Sequence, residues 1–393
     1  MGSEDDILGM NKKAIMILGA IFILIVGTLG FLIYSKYASK SPSAPPVANN
    51  SMPQTPATST PPDTDNNPII PPQTPGGAIK LSDDQVVSPA LFFDGSGITY
   101  FDNQGRLYQA ALDSSSGQLA LINKKQLDIP QKPGITKILW PAQGNDFIAQ
   151  AAGTGGQPVW SYFSSTARSY TDLPPQVAAI DWLPSGNQIV YVWFSSGKAT
   201  LNVADPDTKN WKKLADMWET DNAISVSPDG TQLLFYETQN SGTANAIKSV
   251  TIDAKIWKDM VKNGFNSGVL WSPDGQKFLF GKKDVVSQQY QLWVYNMTSG
   301  EVKNLGMFTT PEKTVWDKDS TIIYAAVPNS GAGAGVLTQD SFFRMDTNTM
   351  EKKQYDSGQA AIDGRSLFLN STSDKLFFKN AQDGGLYYID LSK

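Results

Sequence analysis

The sequence predicts an all-β fold, a β-propeller of seven four-stranded antiparallel blades, and three observations lead to this prediction. The first is a phrase that occurs twice with few changes, from Val226 to Phe235 and from Trp271 to Phe280. The second is a set of weaker copies of it, so that large apolar anchors recur 42 to 53 residues apart. The third is that each unit offers short strand-like segments. A repeat of this length with four strands per unit is typical of a propeller. The anchors are Leu91, Trp140, Trp182, Val226, Trp271, Trp316 and Leu369.

Each anchor introduces a predicted hairpin. In the clearest copy, Ser272-Pro273-Asp274-Gly275 follows Trp271. Ser and Asp side chains can bond back to the backbone, Pro presets φ, and Gly accepts a conformation that a Cβ would strain. We therefore expect the first strand of each unit to end at its anchor. The second strand should contain the apolar residue found seven positions later, which is Ile98, Phe147, Ile189, Leu233, Phe278, Ile323 or Leu376.

The rest of a unit reads as two further strands. In the fifth unit, Gln291–Tyr295 alternates as a strand, Asn296–Gly300 has turn chemistry, and Glu301–Leu305 alternates again. The first, third and sixth units carry the same pattern at 98–101, 107–112 and 119–122, at 189–193, 200–203 and 211–214, and at 322–327, 342–345 and 352–355. Sheets that are apolar on both faces must stack on one another.

The seventh unit lacks a candidate for its fourth strand. It offers Leu376–Lys379 and Leu386–Leu391, and the sequence then ends at Lys393. A spare strand-like segment, Ala78–Leu81, precedes the first unit. Because an unpaired sheet edge invites aggregation, we expect Ile79–Leu81 to pair beside Leu386–Leu391 and close the ring.

A membrane anchor is predicted before the propeller. After a short tail at residues 1–13, Ala14–Tyr34 runs for 21 residues without a charge. At about 1.5 Å per residue this segment spans the ~30 Å hydrocarbon core of a bilayer, and it is longer than the apolar part of a cleavable signal peptide. Lys12 and Lys13 before the span balance Lys36 and Lys40 after it, so the positive-inside count decides nothing. We expect a single-pass protein with its N-terminus in the cytoplasm and the propeller outside.

Residues 35–76 read as a disordered linker rich in Pro, Thr and Ser. Residues 41–76 hold 11 of the 24 prolines of the chain and contain no aromatic residue, Lys or Arg. Such a composition cannot bury enough surface to fold. Polyproline II at about 3.1 Å per residue gives an extended reach of roughly 110 Å. The linker is expected to hold the propeller, residues 77–393, away from the membrane.

Composition excludes several classes of function. The chain has no His and no Cys, which excludes His-based triads, Cys nucleophiles and zinc sites built from these residues. Its net charge of −5, without a basic stripe, argues against nucleic acid. There is no nucleotide-binding motif, because the glycine-rich run Gly331–Gly335 lacks the helix and Lys-Ser/Thr of a phosphate loop. We therefore predict no cofactor, no metal and no catalytic residue.

The acidic motifs have simpler interpretations than metal binding or catalysis. Asp229 and Asp274 occupy turn positions that explain them. The fragments Asp317-Lys318-Asp319 and Asp205-Pro206-Asp207 resemble parts of calcium loops but lack the Gly and distal Glu of an EF-hand. A pair of carboxylates with a raised pKa at the mouth of the central channel would instead favour an enzyme.

The candidate partner-binding residues lie in loops. Trp218 belongs to the polar connection Asp216–Asp221, where an exposed Trp would be a binding anchor, and Glu219 and Asp221 adjoin it. Val285 and Val286 stand in a predicted hairpin, where exposed apolar residues suggest an interface. We expect partners to bind the face that carries the connections between second and third strands and between successive blades.

The phrase W-S-P-D-G-x-x-Φ-x-F resembles the repeat of TolB-like propellers. The resemblance covers residues 78–393, with close matches at Val226–Phe235 and Trp271–Phe280, whereas Trp316-Asp317-Lys318-Asp319-Ser320 departs from it. It implies a protein-interaction scaffold in the cell envelope, with envelope proteins as partners. The motif specifies the fold better than the function. A module for glycans or other wall polymers is the alternative, and a carboxylate-based glycosidase-type enzyme is the lesser one.

Overall fold

The described chain is an all-β propeller. We analysed a computed structural model, which describes residues 77–392 except 93, 154–157, 218–221, 238–244, 265, 330–336 and 359–360. Within these residues, 28 strands form seven antiparallel four-stranded sheets. The tail, the predicted span Ala14–Tyr34 and the linker lie outside the described residues. Among the residues described, the helical element is one 3₁₀ turn, Pro311–Lys313, and no helix has the length and apolar character needed to cross a membrane.

Four consecutive strands form each of the first six blades. Blade 1 consists of β2 (Val87–Leu91), β3 (Gly97–Phe101), β4 (Leu107–Asp113) and β5 (Ala120–Gln126). Blade 2 consists of β6 (Ile135–Leu139), β7 (Phe147–Ala152), β8 (Pro158–Ser164) and β9 (Ser169–Asp172). Blade 3 consists of β10 (Val177–Trp182), β11 (Ile189–Ser195), β12 (Lys198–Ala204) and β13 (Lys212–Met217). Blade 4 consists of β14 (Asn222–Val226), β15 (Gln232–Glu237), β16 (Asn245–Thr251) and β17 (Trp257–Gly264). Blade 5 consists of β18 (Asn266–Trp271), β19 (Lys277–Lys283), β20 (Tyr290–Asn296) and β21 (Val302–Asn304). Blade 6 consists of β22 (Thr314–Trp316), β23 (Ile322–Pro328), β24 (Asp340–Asp346) and β25 (Lys352–Tyr355).

Blade 7 joins the two ends of the propeller, as predicted. Its own strands are β26 (Gly364–Leu369), β27 (Lys375–Asn380) and β28 (Leu386–Asp390), and β1 (Ile79–Ser82) completes the sheet beside β28. In the register, Ile79 lies opposite Tyr388 and Lys80 opposite Tyr387. Val86, Ile98 and Tyr100 of the following segment then pack against Phe377, Leu386 and Tyr388. The ring is therefore closed by hydrogen bonds within one sheet and by a buried cluster between blades 7 and 1.

The core consists of the contacts between neighbouring blades. Within the described residues, seven hydrophobic clusters each join one blade to the next, around the whole ring. The apolar residues seven positions after the anchors lie in these clusters and are almost completely buried, from Ile98 through Phe278 to Leu376. Each blade thus buries both of its faces, which an isolated four-stranded sheet cannot do.

All four tryptophan anchors also tie one blade to the blade before it by a hydrogen bond. The indole Nε1 of Trp182 donates to the Leu139 carbonyl oxygen at 2.9 Å. Trp140, Trp271 and Trp316 make the equivalent bonds to Ser88, Ser225 and Leu270 at 3.2–3.3 Å. The fourth unit has Val226 as its anchor, and there the Asp181 carboxylate of blade 3 accepts a hydrogen bond from the Val226 backbone N–H at 2.9 Å.

The turns after the anchors confirm the interpretation of their acids. Ser272 Oγ donates to Asp274 Oδ1 at 2.6 Å, the Gln276 backbone N–H donates to the same oxygen at 2.9 Å, and Gly275 has φ +67°. Asp229 accepts the same pair of bonds from Ser227 Oγ and the Thr231 N–H. Both carboxylates therefore fold a turn.

Candidate functional site

The propeller has two chemically different faces. Successive strands in a blade run antiparallel, so the turns between first and second and between third and fourth strands lie on one face, which we call the turn face. The connections between second and third strands and between blades lie on the other, which we call the connection face. The connection face carries the predicted partner-binding residues.

Val285 and Val286 lie on the connection face, between β19 and β20, and are strongly exposed. Val285 is 68% and Val286 is 89% exposed, as the sequence predicted for residues that a monomer has little reason to display. Trp218, Glu219 and Asp221 belong to a connection between blades 3 and 4 and lie outside the described residues, so their predicted role is untested.

The loop that carries the two valines is held by its own hydrogen bonds. Asp284 Oδ1 accepts the backbone N–H of Val286 at 3.1 Å and that of Ser287 at 2.7 Å. These bonds, together with the one from the Ser287 hydroxyl, lower the pKa of Asp284. Gln288 then donates its side-chain N–H to the Val285 carbonyl oxygen at 2.8 Å. Two adjacent apolar side chains therefore project from a tip with a fixed backbone.

Sequence reasoning missed two other exposed apolar residues on the same face. Phe308, in the connection from blade 5 to blade 6, is 41% exposed. Leu337, between β23 and β24, is 53% exposed. The sequence does not mark them as exposed, because Phe308 follows Met307, which is buried, and Leu337 follows Val336 at the end of the glycine-rich run.

Beside these residues, a network of buried charges joins blades 6 and 7. Lys313 Nζ lies 2.7 Å from Asp340 Oδ2 and 2.8 Å from Asp363 Oδ1, and it donates to Thr338 Oγ1 at 2.8 Å. Both carboxylates are completely buried, and the Lys313 side chain is 9% exposed. Arg365 Nε and Nη2 each reach Asp363 at 3.1 Å. We call Lys313, Thr338, Asp340, Asp363 and Arg365 the polar cluster.

Almost every polar atom of this cluster has a partner. The Lys313 ammonium uses its three donors on Asp340, Asp363 and Thr338. Asp340 also accepts the Gly364 backbone N–H at 2.8 Å, and Asp363 accepts that of Thr338 at 3.2 Å. Burial opposes ionisation of Asp363, but the hydrogen bonds from Arg365 and Lys313 outweigh it and lower its pKa to about 2. A charged and saturated network of this kind positions chain segments and leaves little capacity for proton transfer.

Among the carboxylates of the described residues, Asp181 is the one whose pKa is clearly raised. Burial raises its pKa to about 6, against the opposing hydrogen bonds from the Val226 and Trp182 backbone N–H groups. Both of its oxygens are therefore occupied by backbone. An enzyme is expected to show a pair of carboxylates with a raised pKa, and Asp181 is one carboxylate of this kind. Its contacts give it a structural role, because they join blades 3 and 4.

The acidic fragments that resembled calcium loops bind the protein itself. Asp317 accepts the backbone N–H groups of Thr321 and Ile322 at 3.0 Å, and Asp207 pairs with Lys209 Nζ at 2.7 Å. In the part of the chain that the structure describes, no group of three or more acidic side chains is placed to hold a metal ion.

The fold and this face define a class of protein, a seven-bladed β-propeller with a variable connection face. Comparison with models of known protein families and with curated protein sequences found no match. Among solved structures, oligogalacturonate lyase from Vibrio parahaemolyticus superposes with a TM-score of 0.54 at 11% identity, covering 81% of this chain and 92% of the lyase. An oligogalacturonate lyase in complex with manganese gives 0.54 at 10% identity, over 81% and 96%. TolB from Acinetobacter baumannii gives 0.41 at 15% identity, over 77% and 78%.

These likenesses concern the fold. At 10–11% identity the two lyase structures confirm the propeller and nothing finer. The superposition on TolB is too loose to argue from, so the TolB-like character of the repeat stays a prediction.

Proposed function

We propose that this protein is a membrane-tethered interaction module outside the cytoplasm, which binds a protein partner through the connection face. The observation that carries the proposal is the tip with Val285 and Val286, since two adjacent apolar side chains are displayed there at 68% and 89% exposure. Exposed apolar residues of this kind mark interaction sites, and a preformed tip loses little conformational entropy when it binds.

The surroundings of the tip support the same face. Phe308 and Leu337 add exposed apolar area on the connections of blades 5 and 6. The polar cluster, which includes Thr338 directly after Leu337, holds the approach to blade 7 rigid through buried hydrogen bonds. A rigid base with a few exposed apolar anchors resembles the distribution of binding energy in protein interfaces, where a few residues dominate.

A pull-down from the membrane fraction tests this role. The full-length chain carrying Val285→Ser with Val286→Ser should recover its partners on the order of tenfold less well, because the anchors of an interface dominate its affinity. Val302→Ser is the matched control, since Val302 is an exposed valine of the same blade that begins the outer strand β21 at the turn face. Unchanged recovery by a double variant that melts like the parent would move the interface to the turn face or the linker.

The membrane topology has its own test. The proposal places the linker outside the cytoplasm, so protease added to intact cells should cut within residues 41–76 and release a soluble fragment. Protection of the linker until the cells are lysed would reverse the topology and favour a cytoplasmic scaffold.

A glycan-binding module is the second candidate, and two tryptophans on the turn face favour it. Trp211 and Trp257 occupy the same position in hairpins of adjacent blades, after Asp207-Thr208-Lys209-Asn210 and Asp253-Ala254-Lys255-Ile256. Trp211 is 62% exposed, whereas Trp257 is 38% exposed and stacks on Phe235. The exposed indole ring of Trp211 is suited to stacking on a sugar ring. Binding to a glycan array that Trp211→Ala abolishes, and that persists without any protein partner, would favour this role.

Enzymatic activity stays the lesser alternative. Two of the similar structures are oligogalacturonate lyases, and this likeness extends to the fold alone. We expect the chain not to be an enzyme. Turnover of any oligosaccharide that Asp181→Asn abolishes, in a variant with parental stability, would reverse this expectation.

A further inference from the structure

Two positive charges face one another at the connection-face end of blade 7. Arg365 of β26 and Lys379 of β27 are directly opposite in the antiparallel register. Opposite residues in such a pair project from the same side of the sheet, with Cβ atoms about 5 Å apart, and like charges placed there destabilise the sheet. The pairing with Asp363 explains Arg365, but it does not explain a second cation opposite it.

Arg365 is held in place and keeps free donors. Its Nε and Nη2 bond to the Asp363 carboxylate, which is itself fixed by Lys313 and the Thr338 N–H. The Nη1 donors are not used in these bonds, and the side chain is 42% exposed. A guanidinium fixed along one edge presents its remaining donors in a defined direction, which suits recognition of a carboxylate.

Lys379 lacks a counter-ion in the part of the chain that the structure describes. Its side chain is half-buried, and its pKa is lowered by burial and by the charge of Arg365. Arg365 pairs with Asp363, and the charge of Glu312 also acts on Arg365. Within the described residues, the positive charge without a counter-ion at this end of blade 7 is therefore that of Lys379, which lies opposite Arg365.

We propose that Arg365 and Lys379 bind a carboxylate from an acidic segment of the protein partner. This inference rests on the proposed function, because the same connection face carries the apolar tip at Val285 and Val286. It makes the partner a segment with an Asp, Glu or C-terminal carboxylate next to apolar residues. Charge complementarity selects this occupant, since Lys379 has no counter-ion among the described residues and the exposed guanidinium of Arg365 lies opposite it.

The charge count favours a carboxylate over a phosphate group. One carboxylate neutralises the charge of Lys379. A phosphate dianion would bring a second negative charge close to Asp363 and to Glu312, whose charge acts on Arg365. Asp363 stays ionised because its pKa is lowered to about 2, so the repulsion persists at neutral pH.

The test uses the full-length chain in detergent micelles on an immobilised peptide array. The probes are peptides with one Asp or Glu among apolar residues, the same peptides with Asn or Gln, and phosphoserine versions. The parent should retain the carboxylate peptides on the order of tenfold better than the amide peptides, which is the strength of one charged interfacial hydrogen bond. Lys379→Gln should remove this preference, and Lys379→Arg should restore it.

Stability separates binding from a structural role. Because Lys379 is a half-buried cation opposite another cation, Lys379→Gln should leave the melting temperature unchanged or raise it while binding falls. A structural lysine would lower the melting temperature instead. Lys258→Gln, on the outer strand of blade 4, is the control and should change neither quantity.

The outcomes divide as follows. The carboxylate site is overturned if the parent does not prefer carboxylate peptides to amide peptides, or if this preference survives Lys379→Gln. Stronger retention of phosphoserine peptides also overturns it. Loss of peptide retention in the Val285→Ser, Val286→Ser variant but not in Lys379→Gln overturns the carboxylate site and leaves the proposed function standing. If neither variant changes retention, both proposals fail.

Discussion

The turn face and the connection face are built on different rules. On the turn face, one hydrogen bond recurs with different residues: a side-chain oxygen accepts the backbone N–H five residues later, at 2.9–3.0 Å. The acceptor is Ser in blades 4 and 5, Asp317 in blade 6 and Asn370 in blade 7. The chemistry of the turn is thus retained where the Ser-Pro-Asp-Gly phrase is lost.

The connection face shows no such repetition in its described part. Blade 5 displays two valines on a tip capped by Asp284, and blades 6 and 7 share a buried lysine between two aspartates. These devices differ because the connections need only return the chain to the next blade. The difference teaches that the repeated face builds the ring, while the variable face is free to carry function.

The largest expected effect tests the ring itself. Trp271→Ala should lower the free energy of unfolding by about 3–5 kcal/mol, as for a buried aromatic residue in a packed core. The indole packs on Phe278 and donates to the Ser225 carbonyl oxygen of the preceding blade. Trp211→Ala is the control, because this tryptophan is exposed on the turn face, and denaturant unfolding should change by less than about 0.5 kcal/mol. Equal effects would mean that the anchors do not hold the blades together.

Breaking the polar cluster should lower the free energy of unfolding nearly as much. Lys313→Met leaves the buried Asp340 without a cation, so we expect a loss of about 3 kcal/mol, the low end for a broken buried pair because Arg365 still pairs with Asp363. Lys80 offers a matched control, since its Nζ also lies between two aspartates, at 2.6 Å from Asp83 and 2.8 Å from Asp383, but on the surface. Lys80→Met should cost less than about 1 kcal/mol by denaturant unfolding. A loss as large as that of Lys313→Met would show that burial is not the cause.

The same cluster predicts an effect of pH. The folded-state pKa of Asp363 is about 2, below its ordinary value of 3.8. Its pairing therefore contributes stability above pH 4, and this contribution should be lost as the pH falls from about 4 to about 2. Asp181 has the opposite sign, because burial raises its pKa to about 6.

The raised pKa of Asp181 predicts that stability falls as the pH rises towards neutrality. Between pH 4 and pH 7 the folded wild type must ionise a buried carboxylate, so its stability relative to Asp181→Asn should fall by on the order of 1–3 kcal/mol. Asn can accept only one of the two backbone hydrogen bonds of Asp181, and this loss costs the variant the same at every pH. The change with pH in the stability difference between wild type and variant therefore reports the ionisation of Asp181 alone. A difference that does not change with pH would show that Asp181 keeps an ordinary pKa.

The sequence predicted the ring well because the ring is periodic. Phe147 and Ile323 follow weak copies of the phrase, yet both lie in the second strand of a blade and are buried. The closing strand was predictable from a missing partner and a spare segment. Strand ends shifted by a few residues, as at β5, which runs to Gln126 where the pattern suggested Ile122.

The candidate site was less predictable because it depends on contacts between distant residues. Lys313 reads as a solvent-exposed lysine, and its partners Asp340 and Asp363 stand 27 and 50 positions later. The weak signal available was an acidic residue directly before or at the start of a strand in each of two neighbouring blades. Val285 and Val286 are predicted because they lie between polar residues in a hairpin loop. Phe308 follows the buried Met307 and Leu337 follows Val336, so the sequence does not separate either from a buried residue.

The smallest expected effect concerns the Ser-Pro-Asp-Gly turn, the motif from which the propeller is predicted. Asp274→Ala removes the acceptor for Ser272 Oγ and the Gln276 N–H, so we expect a loss of about 1 kcal/mol, the net value of an ordinary hydrogen bond. Denaturant unfolding compares the free energy lost by Asp274→Ala with that lost by Trp271→Ala. Asp229→Ala, in the equivalent turn of blade 4, should lose about as much as Asp274→Ala. If Asp274→Ala were the more damaging of the two blade 5 variants, the carboxylate would hold more than its turn. The calcium and catalytic interpretations of the repeated aspartates would then regain support. Each turn aspartate thus contributes little to the free energy of unfolding. The ring is stabilised because equivalent turn hydrogen bonds recur in successive blades.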